Sequence, residues 1–83
     1  MVAAIVSDDY IQKLDLTGLA CPLPLLKMRL ALKGMDTGQC IAVDATDTGS
    51  WKDFHKFAEI TSNELLSAVE DNGVYHYVIK KGP

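Results

Sequence analysis

The chain has 83 residues, 48% of them apolar, and a net charge of −3, which suits one domain with a single modest core that buries only about 60–65% of its unfolded surface. No segment gathers Lys or Arg into a stripe, which argues against nucleic acid, and two cysteines without Cys-x-x-Cys spacing argue against a zinc site or a disulfide framework. The apolar start, Met1-Val2-Ala3-Ala4-Ile5-Val6, is too short for a membrane span and lacks the basic flank of a signal peptide, so a soluble cytoplasmic protein with reduced thiols and no cofactor or metal is expected.

Residues 1–10 read as a flexible N-terminal tail ahead of a single domain over residues 11–81. Ile11 to Thr17 alternates around Leu14 and Leu16, which predicts a first strand. Pro22 to Met35 is predicted helical, with Leu25, Met28, Leu32 and Met35 on its core face. Gly34 falls near its end, and Asp36-Thr37-Gly38 reads as a turn. Gln39 to Ala45 is a second strand, with Ile41, Val43 and Ala45 on one face and Cys40, Ala42 and Asp44 on the other.

Asp47 and Ser50 are two candidate caps for a second helix running to about Ile60, and Ser50 with Asp53 resembles a capping box. Trp51, Phe54, Phe57 and Ala58 form its apolar face. Asn63 to Asp71 and Val74 to Lys80 are two strands joined through Asn72-Gly73, a strong hairpin signal. Tyr75, Tyr77 and Ile79 share a face of the last strand. The order β-α-β-α-β-β, with a right-handed crossover and a closing hairpin, implies an α/β two-layer sandwich. It has a mixed four-stranded sheet and two helices on one face.

Gly18-Leu19-Ala20-Cys21-Pro22-Leu23-Pro24 links the first strand to the first helix. Pro22 and Pro24 fit the first helical turn, where their missing N–H groups have no partner to lose. The expected geometry has Cys21 near the N-cap, Pro22 at the first helical position and Gly18 in the turn. The helix dipole there favours a thiolate. With two of the first three helical N–H groups absent, Leu23 is the main donor left, so the thiol pKa is expected to fall only partway. The plainer alternative, a small apolar filler at a strand–helix corner, fits less well with the flanking prolines and the Gly18 turn.

The topology places the ends of the first two strands and the starts of both helices on one edge. Cys21, Asp44, Asp47, Thr48 and the Ser50 cap are therefore expected as neighbours. Cys40 opens the second strand at the opposite end, too far from Cys21 for a disulfide. Leu23, Leu26 and Leu30 lie at about 100–160° around the helix, whereas the core face centres near about 320°. This trio is either a docking patch beginning beside Cys21 or a surface packed on the second helix. His55 and His76 read as solvated side chains, and Asp44 and Asp47 as capping or loop residues rather than acid–base groups.

These residues together resemble the TusA-like (SirA-like) sulfur-carrier family, over about Leu14 to Lys80. The resemblance rests on Leu14-Asp15, Gly18-Leu19, the Cys21-Pro22-Leu23-Pro24 signature, Gly38, Asp47, Asp53, Glu64-Leu65-Leu66 and the terminal hairpin. It implies the two-layer fold derived above and a persulfide carried on Cys21. It also implies a donor of the cysteine desulfurase or rhodanese-like kind and an acceptor such as a DsrE-like protein or a thiolation enzyme. The sulfur then serves tRNA thiolation, cofactor synthesis or sulfur oxidation. Three positions depart from the family pattern: Ala20 where a basic residue is frequent, Leu23 where an acidic one is, and Thr48 in place of a proline after Asp47.

Sulfur transfer is thiol–disulfide exchange with a sulfane sulfur and needs no metal or triad. The expected protein is a monomeric carrier-type sulfurtransferase with transient protein partners, and it contacts neither nucleic acid nor membrane. The competing classes are a regulatory or interaction module in which Cys21 only caps the helix, a nucleic-acid binder, which the charge opposes, and a redox protein, which would lack a nearby resolving cysteine.

Overall fold

The computed structural model describes residues 10–83. In chain order it has β1 (Tyr10–Leu16), α1 (Leu23–Lys33), β2 (Cys40–Ala45), α2 (Gly49–Ile60), β3 (Glu64–Asp71) and β4 (Val74–Lys80). The four strands form one sheet in the order β1-β2-β4-β3. β1 and β2 are parallel; β4 runs antiparallel to both β2 and β3. The predicted mixed sheet with the order β-α-β-α-β-β is therefore the observed one. β1 opens at Tyr10, one residue before the predicted start, and residues 1–9 of the expected tail lie outside the described residues.

Local chemistry sets the element ends. Asp15 Oδ1 accepts from the Thr17 backbone N–H (3.0 Å) and hydroxyl (2.6 Å), turning the chain out of β1 one residue earlier than predicted. α1 stops at Lys33 rather than Met35. The Gly34 and Met35 N–H groups reach back only three residues, to the Ala31 and Leu32 carbonyls, as in a tightened last turn. The hairpin is turned by Asn72 (φ 51°) and Gly73 (φ 83°), the paired left-handed conformation that Asn-Gly adopts most easily.

The core consists of Leu16, Met28, Leu32, Met35, Ile41, Val43, Ala45, Phe54, Tyr77 and Ile79, so the predicted inward faces of α1, β2 and β4 are the buried ones. Burying these side chains contributes roughly 1.5–3 kcal/mol for each large residue. Trp51, predicted to share the apolar face of α2, is 38% exposed. It sits at the rim, with its ring 4.8 Å from His55 and 5.9 Å from Tyr75 between centroids. Among the described residues, no helix covers the other sheet face. Across it run Asp15, Asp44, His76 and Val69 in register, and His76 Nδ1 lies 2.7 Å from Asp44 Oδ1.

Candidate functional site

The β1–α1 connection is built to hold Cys21 at its tip. Gly18 adopts φ 82°, a conformation that costs glycine little. Its N–H donates to Thr46 Oγ1 at 2.8 Å, tying this loop to the one after β2. Cys21 and Pro22, joined by a cis peptide bond, occupy the middle of a turn closed by the Leu23 N–H on the Ala20 carbonyl at 2.9 Å. Pro22 is the N-cap of α1, Leu23 its first residue and Pro24 its second. The helix thus begins one residue later than predicted, and Cys21 stands outside it. Cys21 is exposed, while the other cysteine, Cys40, is buried.

The environment of the thiol differs from the expected one. The Leu23 N–H, the donor expected to face an anion here, is engaged by the Ala20 carbonyl. Facing Cys21 instead is Asp53, from the first half of α2, and Sγ donates to its Oδ2 at 3.6 Å. The thiol pKa is raised rather than lowered. Partial desolvation contributes most, followed by the hydrogen bond to Asp53 and by the charges of Asp53 and Asp47. A carboxylate stabilises the S–H form that donates to it and repels a thiolate.

Asp47 and Gly49 complete the cluster. Asp47 Oδ2 is buried without a hydrogen-bond partner. A Cβ on Gly49 would stand 3.0 Å from that oxygen and 3.9 Å from Cys21 Cβ, so the missing side chain lets thiol and carboxylate share one corner. The predicted Ser50–Asp53 capping box does not form. Thr48 is the N-cap of α2 and makes no side-chain cap bond. Ser50 lies beneath the site: its hydroxyl donates to the Asp47 carbonyl at 2.7 Å and meets Tyr77 Oη at 2.7 Å.

Of the predicted neighbours, Asp47, Thr48 and Ser50 are on this edge. Asp44 is not beside Cys21. Strand alternation turns it to the open sheet face, where it pairs with His76. Asp53, Thr46 and Gly49 belong to the site without having been placed there by spacing. Asp53 lies four residues after Gly49, one helical turn on, and that was the available signal. Leu23, Leu26 and Leu30 are 43%, 46% and 68% exposed, and a shallow groove on this face is lined by Leu26, Arg29, Leu30 and Lys33. α1 carries Lys27, Arg29 and Lys33 and no acidic residue. Among the described residues, no three His, Cys, Asp or Glu side chains converge as a metal-binding group. No described helix is long and apolar enough to cross a membrane.

Known proteins resemble this chain in sequence and in fold. The family described as Sulfurtransferase TusA matches residues 12–81. The sulfur carrier protein TusA of Allochromatium vinosum is 49% identical over 73 residues, covering 88% of this chain and 96% of that protein. A Neisseria meningitidis serogroup A relative is 44% identical over 69 residues, covering 83% of this chain and 93% of the other. In fold, the chain matches the crystal structure of a SirA-like protein from Desulfitobacterium hafniense with a TM-score of 0.75. That match has 24% identity and covers 88% of this chain and all of the other.

Proposed function

This chain belongs to the sulfurtransferase TusA family, and on that premise we propose that it is a sulfur carrier whose Cys21 accepts a sulfane sulfur as a persulfide and hands it to a partner protein. The observation that carries the reading is the contrast between its two thiols: Cys21 is exposed at the tip of the β1–α1 loop, and Cys40 is buried.

In loading, the Cys21 S–H gives up its proton and the thiolate attacks the outer sulfur of a donor persulfide, R–S–SH. The donor S–S bond breaks, R–S⁻ leaves, and Cys21–S–SH forms. In unloading, an acceptor thiolate attacks that outer sulfur and Cys21 leaves as the thiolate. Gly18, Pro22 and Pro24 hold the loop for both steps. A cysteine desulfurase or rhodanese-like protein suits the donor role. A DsrE-like protein or a thiolation enzyme suits the acceptor role, feeding tRNA thiolation, cofactor synthesis or sulfur oxidation. A reducing cytoplasmic setting belongs to the same reading. The exposed Leu23, Leu26 and Leu30, with Arg29 and Lys33 beside them, are the proposed docking face. The competing role for Cys21 as a helix cap loses support, because the N-cap is Pro22.

Incubation with a cysteine desulfurase and cysteine, followed by mass spectrometry, tests the reading. One extra sulfur atom should appear on the protein, persist in Cys40→Ser and vanish in Cys21→Ser. Persulfide found equally on Cys40 would sink it.

A further inference from the structure

The carrier chemistry calls for one accessible thiol, and it does not call for the two carboxylates set against it. Cys21 Sγ donates to Asp53 Oδ2 at 3.6 Å, and the buried Asp47 Oδ2 has no hydrogen bond to offset its charge. Gly49 leaves the space that lets Asp47 and Cys21 approach. The usual counterweights are few. Pro22 and Pro24 have no N–H, the Leu23 N–H is engaged by Ala20, and no cation bonds to either carboxylate among the described residues. Arg29 and Lys56 line a neighbouring groove together with Asp53, but neither forms an ion pair with it.

We propose that Asp53 and Asp47 are positioning residues that make Cys21 selective for the charge of what it reacts with. Alone, the protein keeps the thiol protonated on Asp53. A partner that brings an arginine or lysine to Asp53 removes both the acceptor and the repulsion, and thereby frees the thiolate for attack. The selection acts on reaction partners with a cationic rim around their sulfur and against those with an anionic one. The proposal takes Cys21 as the reacting thiol, in line with the carrier reading. Its test uses small disulfides rather than a sulfur donor, so the two ideas fail separately.

The probes are three aliphatic disulfides, cystamine (dicationic), bis(2-hydroxyethyl) disulfide (neutral) and 3,3′-dithiodipropionate (dianionic); because their leaving thiols differ in acidity, every rate is taken relative to that of a small neutral thiol, N-acetylcysteine amide, with the same probe. Each reacts as Cys21–S⁻ + R–S–S–R → Cys21–S–S–R + R–S⁻, followed at the Cys21 peptide by mass spectrometry at low salt. In the native chain cystamine should react at least about tenfold faster than the dianion. Asp53→Asn and Asp47→Asn should each shrink that ratio about three- to fivefold and speed the neutral probe severalfold. The remote Glu64→Gln should leave the ratio unchanged. A native ratio near one, or a ratio that Asp53→Asn leaves intact, overturns the proposal. Asp53→Asn carries the test by itself if Asp47→Asn folds poorly, since Asp53 is only part-buried on the helix surface.

Discussion

The Ser50 hydroxyl has one proton, and it is given to the Asp47 carbonyl at 2.7 Å, so the buried contact with Tyr77 has the tyrosine Oη as donor. This pair fixes the first turn of α2 to the middle of β4, directly under the loop that carries Asp47. Tyr77→Phe should cost about 1 kcal/mol, and Ser50→Ala about 1–3 kcal/mol because it strands the buried Tyr77 hydroxyl, while the Asp47 carbonyl keeps its bond from the residue-50 backbone N–H. Thermal unfolding of both single variants and the double variant checks this. The double variant should lose less than the sum.

Leu26→Glu and Leu30→Glu should leave the melting temperature nearly unchanged, because both side chains are exposed and no core volume is lost. Either change should slow sulfur transfer to a partner protein, since a charge is forced into an apolar contact, while reaction of Cys21 with a small thiol reagent stays normal. A large loss of stability with transfer intact in the folded fraction would make this face part of the core instead.

Asp15 accepts two hydrogen bonds from Thr17, which hold its carboxyl below the ordinary carboxylate value. Its folded pKa is below its unfolded one. The stabilisation is therefore complete above the unfolded pKa and disappears as pH falls through the folded value. An NMR titration of the side-chain carboxyl should show the low midpoint, and Thr17→Ala should move it back up.

Lys81 Nζ donates to the Leu32 carbonyl at 2.7 Å, while its backbone pairs with Gln39 and Gly38. A cation at a helix C-terminus meets the negative end of the dipole. Lys81→Met should cost about 1 kcal/mol and speed amide exchange at Gly34 and Met35, with the hairpin unaffected. Unchanged exchange at those two amides would show that the ammonium contributes nothing there.

Much of the fold is legible from periodicity and turn chemistry. The alternation of Ile41, Val43 and Ala45 and the Asn72-Gly73 pair each admit one arrangement, and the structure has it. The site was legible in outline, because the two prolines after Cys21 mark a helix start on any reading. Its electrostatics were not. Whether Asp53 turns back to cap its own helix or forward to face a thiol 32 residues away depends on how α2 sits against the β1–α1 loop. No local pattern encodes that distance. Trp51 has helical spacing suited to the core, yet it is left at the rim because Phe54 and Tyr77 already fill the space beneath α2.

Register has a practical consequence for how this thiol can be presented. Tyr10, Cys40, Lys80 and Glu64 stand in one row at one end of the sheet, and Leu16, Ala45 and Tyr75 at the other. The rows are separated by about 16–17 Å, the five residue steps of β2 and β4 at roughly 3.3 Å each. The chain enters the sheet and leaves it through the first row, while Cys21 follows the second. A domain fused ahead of Tyr10 or after Pro83 would therefore grow from the pole opposite the cysteine. The same unit can be carried within a longer polypeptide, or tethered to a surface by either end, with its working edge still facing outward.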